Sequence, residues 1–336
     1  MKSSSAQPRI VIVTRPTRLD GLLERWATRG QAKFAFQKAR ATAAVRENAD
    51  LSADALDAME MDALEDFGVL EDEQETYESA LERVRMDLDL GLPVQVVERR
   101  FLPTFDFSQA AAVVTVGPDG LVANAAKYVG HAPIVGVNPD PARIDGVLLP
   151  FAVGQVRAAV QRTLKGQCRV EAATLAEARL HDGQRLLAFN DFYVGARTHV
   201  SARYELTVGG RTEPQSSSGV LVSTGAGSTG WMSSVVNMAR GVAAWLGEED
   251  PLPDPRIART DAALLWAVRE PFASRTSRVG HVAGRVGVGE ELLIESRMGS
   301  EGVIFSDGVE ADALDFSGGA VARIGVASQT ARLVVG

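Results

Sequence analysis

The chain has 336 residues, 46% hydrophobic and 23% charged, with a formal net charge of −8. That length allows two domains with cores of their own, and the composition is that of a globular protein rather than a disordered or fibrous one. A single cysteine, Cys168, excludes an intramolecular disulfide framework and a cysteine metal cluster, and the four scattered histidines (His131, His181, His199, His281) never sit at ligand spacing.

Ile10 to Thr14 reads as a short buried strand, followed by Arg15-Pro16-Thr17-Arg18 and a helix from about Leu19 to Val45. Between Glu47 and Leu90 there are 16 acidic residues against Arg83 and Arg85, a local balance of −14, so with −8 for the whole chain the remainder carries +6. Within that segment Leu51, Ala55, Met59, Ala63 and Phe67, then Tyr77, Leu81, Val84 and Leu88, recur at spacings of three and four. This is the stripe of amphipathic helices. Their acidic side reads either as a solvated face or as a surface for subunit contacts. Strands are expected at Val94 to Val97, Ala111 to Val116 and Ile134 to Asn138, with a helix over Leu121 to Val129 between the last two. Strands alternating with helices predict a parallel, doubly wound sheet up to about residue 150.

After a helix near Val153 to Leu164 the texture changes. Short strands at Val170 to Leu175, Arg185 to Asn190, Ser201 to Val208, Gly219 to Ser223, Ala262 to Val268, Glu291 to Glu295, Gly302 to Phe305 and Val321 to Val326 are joined by turns, with one helix after Gly230. That pattern predicts an all-β domain. No apolar run approaches the roughly 20 residues of a membrane span, and Met1 to Ile10 lacks an apolar signal core. A cytoplasmic location and no membrane partner are therefore expected. No Lys/Arg cluster with interleaved aromatics suggests a nucleic-acid partner.

Three places carry chemistry. The apolar run Val113 to Val116 stops in Gly117-Pro118-Asp119-Gly120 and opens into a helix, delivering a lone carboxylate to the end of a buried strand. In an open α/β sheet ligands bind at the carboxyl ends of strands, and a helix N-terminus offers unpaired N–H groups to an anion. Asp119 is thus placed to act on a phosphate-bearing substrate, or it is an ordinary turn residue, since Asp-Gly also occurs at Asp20, Asp145, Asp182 and Asp307. In Phe189-Asn190-Asp191-Phe192 two small polar side chains interrupt an apolar run, either as a polar strand end or as acceptors aimed at ribose hydroxyls. Ser223-Thr224-Gly225-Ala226-Gly227-Ser228-Thr229-Gly230-Trp231 follows a strand and precedes a helix, and formally satisfies GxGxxG. A dinucleotide-binding oxidoreductase needs a second strand ending in an acid about twenty residues on. Here Gly247 to Pro253 is a proline-broken acidic loop instead. No GxxxxGK[ST] is present, so phosphoryl transfer would not use a P-loop.

These three elements, in this order, resemble the NAD kinase family, in which a GGDG turn carries the catalytic aspartate, an Asn-Glu pair holds a ribose and a TGST loop cradles the dinucleotide. The resemblance is closest to the mitochondrial type and extends over most of the chain. It includes Thr17-Arg18, Gly136 to Pro141, Leu148-Leu149-Pro150, Ser217-Ser218-Gly219, Thr224 to Ser228, Arg269-Glu270-Pro271 and Asp307-Gly308. It implies a Rossmann-like doubly wound α/β domain over residues 1–152 with an acidic helical insertion at 47–90. A β-sandwich dinucleotide-binding domain follows over 153–310, and a tail, 311–336, returns to the first domain. The implied activity is transfer of the γ-phosphate of ATP, with Mg2+, to the 2′-hydroxyl of the adenosine ribose of NAD, in a homodimer. Asp119 would be the catalytic base. Gly117 and Gly120 would shape its loop, Asn190 and Asp191 would hold a ribose, and Thr229, Gly230, Trp231 and Ser234 would line the dinucleotide site. No metal-ligating side chain is assigned.

The chain departs from the family pattern at four points. Pro118 stands for the second glycine, removing an N–H and pushing Gly117 toward an extended conformation. Leu121 replaces a threonine, Asp191 a glutamate, and Ser218 the aspartate of many bacterial members. Two further readings follow: a related superfamily kinase acting on a lipid or sugar hydroxyl, or a catalytically degenerate nucleotide-binding protein.

Overall fold

The computed structural model describes residues 7–26, 28–47, 53–247 and 253–336, with side chains outside 39–66. The N-terminal half runs β1 (Arg9–Thr14), α1 (Arg18–Arg25), α2 (Arg29–Glu47), α3 (Ala53–Asp87), β2 (Val94–Glu98), β3 (Ala110–Val116), α4 (Asp119–Ala126), β4 (Ile134–Asn138), β5 (Phe151–Ala152) and α5 (Val156–Leu164). β1 is parallel to both β2 and β3, and β3 is parallel to β4. Residues 10–14 of β1 are all buried, as an apolar run must be when helices cover both faces of a parallel sheet. On one face Ile10 and Ile12 pack with Val84 of α3, with Leu88 just beyond that helix and with Val160 of α5. On the other, Val11 and Val13 pack with Leu121, Val122 and Ala125 of α4. The sheet is doubly wound, as expected.

The expected Leu19 to Val45 helix is two helices. Thr17 caps α1 in a reciprocal box with Asp20, and the chain leaves helical geometry at Trp26. It then restarts where Thr28 Oγ1 accepts the Gln31 N–H at 3.2 Å, a second N-cap that redirects the chain. The acidic segment is one helix, α3, rather than several. Phe67, Tyr77, Val84 and Leu88 of its apolar stripe are buried. Leu51 and the side chains of Ala55, Met59 and Ala63 lie outside the described residues.

The second half runs β6 (Arg169–Leu180), β7 (Arg185–Ala188), β8 (Asp191–Ala196), β9 (Ala202–Val208), β10 (Arg211–Ser217), β11 (Val220–Ser223), α6 (Trp231–Trp245), β12 (Ala263–Val268), β13 (Ala283–Gly287), β14 (Leu292–Ser296), β15 (Gly302–Ser306), β16 (Val309–Asp315) and β17 (Val321–Val335). An antiparallel sheet in the order β13-β12-β11-β8-β15-β16 faces a second layer built from β6, β7, β9, β14 and β17. Phe192, Val194, Val222, Leu264 and Ile304 of the first layer meet Ala176, Tyr204, Leu206, Ile294 and Ile324 of the second in a shared core. This is a β-sandwich.

β8, β10, β13 and β16 lie outside the strands read from the sequence. The polar pair Asn190-Asp191 and then Gly195 hide the apolar pattern of β8, while β10 (RTEPQSS) has almost no apolar side chain and relies on β9 for its pairing. β17 continues nine residues past the predicted end at Val326. It pairs antiparallel with β6 and β14, and through Leu333 opposite Ile134 it lies parallel to β4. One 11-stranded sheet therefore runs from the α/β half into one layer of the sandwich. Among the described residues no helix is long and apolar enough to cross a membrane.

Candidate functional site

β1 continues to β2 on one side while β3 lies on its other side, so the sheet changes direction between β1 and β3. A crevice opens at the carboxyl ends of strands flanking such a switch point. The Gly117 to Gly120 turn sits there. Pro118, extended at φ −74° and ψ 169°, is the residue before α4, and Asp119 begins the helix. Gly117 has φ +156°, and a Cβ on it would lie 2.9 Å from Leu121 Cδ2. Asp119 is half-buried. Its Oδ1 accepts the Leu148 N–H at 2.5 Å, and its other oxygen has no hydrogen-bond partner among the described residues.

A cavity of about 750 Å³ separates this turn from the sandwich. It brings together Asp119, Gly120, Asn190, Asp191, Thr229, Gly230 and Trp231, which are distant in sequence. Gly117 is buried behind the turn and does not line the cavity, and Ser234 is exposed on α6 outside it. The lining adds residues that sequence reasoning did not select, notably Val147, Leu148, Glu171, Arg259 and Asp307. Arg259 Nε meets Glu171 Oε1 at 2.5 Å, so this lining cation is already paired.

The opposite wall is held by Asp307, in the turn between β15 and β16. Its Oδ2 accepts the Phe189 N–H at 3.0 Å, and its Oδ1 accepts those of Asn190 at 2.6 Å and Asp191 at 3.2 Å. In return Asp307 N–H donates to the Asp191 carbonyl at 2.9 Å. Asp307 adopts φ +54°, a left-handed backbone that aspartate tolerates better than most residues. Burial raises its carboxyl above the ordinary carboxylate range, against the opposing pull of Lys127 and the three N–H donors. Asp191, the first residue of β8, is 7% exposed. Burial, together with the Asp307 charge, pushes its carboxyl up to about 7. The side chains of Asn190 and Asp191 make no hydrogen bond among the described residues and are available to a ligand. The local signal for Asp307 in the sequence is its Asp-Gly pair, which the family resemblance includes without giving it a role. That signal is shared with Asp20, which caps α1, and with Asp182, which makes the β6–β7 turn.

The glycine-rich loop is tied to the same wall. Thr224 N–H donates to the Asn190 carbonyl at 2.8 Å, and Thr224 Oγ1 donates to the Phe189 carbonyl at 2.5 Å and accepts the Ala226 N–H at 3.1 Å. A Cβ on Gly225 would lie 2.0 Å from the Ala258 carbonyl oxygen, and one on Gly227 would lie 2.3 Å from that of Asn190. Trp231 opens α6 and stacks on Tyr193, centroids 5.9 Å apart and planes 10° apart, with Arg269 5.2 Å from the indole centroid.

A carboxylate at an α/β switch point thus faces two polar side chains and a glycine-rich loop on a sandwich, across a cavity within the size range of small-molecule sites. No protein-family model and no curated protein matches the chain in sequence. Among solved structures it is similar to yeast NADH kinase complexed with NADH, at a TM-score of 0.56 and 13% identity over 99% of this chain and 84% of that one. It is also similar to an NAD kinase from Archaeoglobus fulgidus in complex with ATP, at a TM-score of 0.53 and 18% identity over 76% of this chain and 88% of that one. The chain has an NAD kinase-like two-domain fold.

Proposed function

We propose that this protein is an NAD kinase of the mitochondrial type, transferring the γ-phosphate of ATP to the 2′-hydroxyl of the adenosine ribose of NAD. The observation that carries the reading is Asp119. One of its oxygens is anchored by the Leu148 N–H and the other faces a cavity whose far wall presents Asn190, Asp191 and the Gly225 to Trp231 loop. An alcohol is a poor nucleophile, and a carboxylate within hydrogen-bond reach takes its proton as the transition state forms. The free oxygen of Asp119 does this, Asn190 and Asp191 orient the ribose, and the loop and Trp231 hold the rest of the dinucleotide. Residues 1–152, 153–310 and 311–336 are read as α/β domain, sandwich domain and returning tail, and a homodimer as the assembly.

Four carboxylates against one arginine line the cavity, so a triphosphate enters only with its charge offset. Mg2+ fits this donor set. It takes hard oxygen ligands and usually binds through one or two carboxylates plus substrate phosphates. The phosphates themselves would supply its ligands here, since Asp191 is given to the ribose and both Asp307 oxygens are engaged by backbone N–H groups. Among the described residues no cluster of three metal-ligating side chains exists. When bound, Mg2+ neutralises charge on the transferring phosphoryl group.

The test is NADP formation from NAD and Mg-ATP by the purified protein, with Asp119→Asn in parallel. Turnover in the wild type that collapses in Asp119→Asn is the expected result. Pro118, which removes one backbone donor from the turn, favours a second reading: a nucleotide-binding protein without turnover. Tight NAD binding with no NADP formed would establish that alternative.

A further inference from the structure

Lys127 lies just beyond the last residue of α4 and outside the cavity lining, yet only 1% of its side chain is exposed. A buried lysine needs partners, because an uncompensated ammonium in a protein interior is costly. Its partners belong to the other half of the molecule. Lys127 Nζ donates to Ser306 Oγ at 2.8 Å and to Asp312 Oδ2 at 2.8 Å. Ser306 ends β15 and Asp312 lies in β16, so the two contacts clamp both sides of the turn that carries Asp307.

We propose that Lys127 is a positioning residue for the site. From the end of α4 it holds the β15–β16 turn and, through the Asp307 carboxylate, fixes the backbone from Phe189 to Asp191 that presents Asn190 and Asp191 to the cavity. This rests on the cavity being the functional site, as the proposed kinase reading also requires. The same short helix that starts with Asp119 is therefore followed directly by the residue that sets the opposite wall, and the two walls are registered through the eight residues of α4.

The charge of Lys127 matters as well as its reach. Asp307 accepts N–H groups on both oxygens, a pattern that favours the ionised form, since a protonated carboxyl makes one oxygen a donor and a poorer acceptor. Asp307 is faced by Asp191 from β8, by Lys127 from α4 and, beyond Lys127, by Asp312 of β16, whose Oδ2 also receives the Tyr128 hydroxyl, with Arg99 further out. Burial favours the neutral acid, whereas Lys127 favours the carboxylate. Without that cation, Asp307 takes up its proton at higher pH and releases the 189–191 backbone.

Amide hydrogen exchange over Phe189 to Asp191, without any ligand, tests this in the full chain. In Lys127→Gln, which keeps a donor but loses the charge, exchange at neutral pH should be about tenfold faster than in wild type after correction for intrinsic rates. The difference should close as the pH is raised, and Lys127→Arg should restore protection. Should Lys127→Gln fail to fold, Asp312→Asn decides the matter with the opposite sign: it leaves Lys127 to act on Asp307 alone, so protection persists to lower pH. Exchange in Lys127→Gln that matches wild type at every pH, or is raised equally at every pH, overturns the proposal, as does Asp312→Asn losing protection. NAD and NADH binding to the same proteins is measured separately. A wild type that binds neither refutes the kinase reading while the exchange result still decides the role of Lys127.

Discussion

Two glycine-bearing turns border the cavity, one ending β3 and the other following β11. Around the first there is slack: a Cβ on Gly120 would meet nothing within 4 Å, and one on Gly117 would press on the movable end of Leu121. Around the second there is none, because the spaces beside Gly225 and Gly227 are filled by the carbonyl oxygens of Ala258 and Asn190. A glycine pattern at a helix start usually suggests a phosphate cradle. Here the second pattern is first of all a seam, where three chain segments touch backbone to backbone, and the surface facing the cavity is a by-product of that seam. The first turn is free to serve a ligand.

The sharpest break of this comparison is chemical. Asp119→Asn should lower NADP formation by about 10²–10⁴-fold, the range for loss of a general base, with NAD affinity changed by less than about threefold. Steady-state rates and equilibrium binding on the same preparation check it. Retained activity would reduce the first turn to mere chain reversal.

Next in size is a stability contrast. Gly227→Ala forces backbone apart and should cost about 3 kcal/mol or more, at or beyond the upper end for overpacking. Urea unfolding measures it, and a wild-type midpoint would mean the seam is looser than its geometry.

The third effect depends on pH. The folded chain keeps the Asp191 proton up to about pH 7, whereas an unfolded aspartate releases it near pH 4. Between those values the folded state binds more protons, so stability falls as pH rises. Asp191→Asn removes that fall. It should gain roughly 2–4 kcal/mol at pH 8 and nothing near pH 4, visible as thermal midpoints that separate only at the higher pH.

The smallest effect completes the contrast. Gly120→Ala should alter stability by less than about 0.5 kcal/mol, as for an open surface position, while weakening triphosphate binding if the turn approaches phosphates closely. Calorimetric titration of ATP into both proteins reads this, and equal affinities would take Gly120 out of the binding surface.

Much of this molecule was legible before any coordinates. Buried parallel strands declare themselves as unbroken apolar runs, so β1, β3 and β4 were placed within a residue or two, and Asp119 with them. The register of Asn190-Asp191 and of the glycine loop against Asp119 was legible only through a family resemblance, because nothing local links residues 70 and 100 positions apart. Ser234 shows the limit of that route: it follows the loop in sequence, yet the helix turns it to the outside.

Sequence alone determined the elements whose cause is local. These are the apolar period of the strands, the Thr17–Asp20 cap, the turn that delivers a carboxylate to a strand end, and the net acidity concentrated between Glu47 and Leu90. Only tertiary structure decided what depends on groups meeting across the chain. The role of Asp307 is not readable from its Asp-Gly pair until three N–H groups converge on it. Asp191 is an ordinary aspartate until burial and a neighbouring carboxylate raise it. Lys127 is a surface lysine in any sequence reading until β15 and β16 enclose it. Hydrogen bonding, burial and electrostatic fields act through space, and sequence order does not record the distances over which they act.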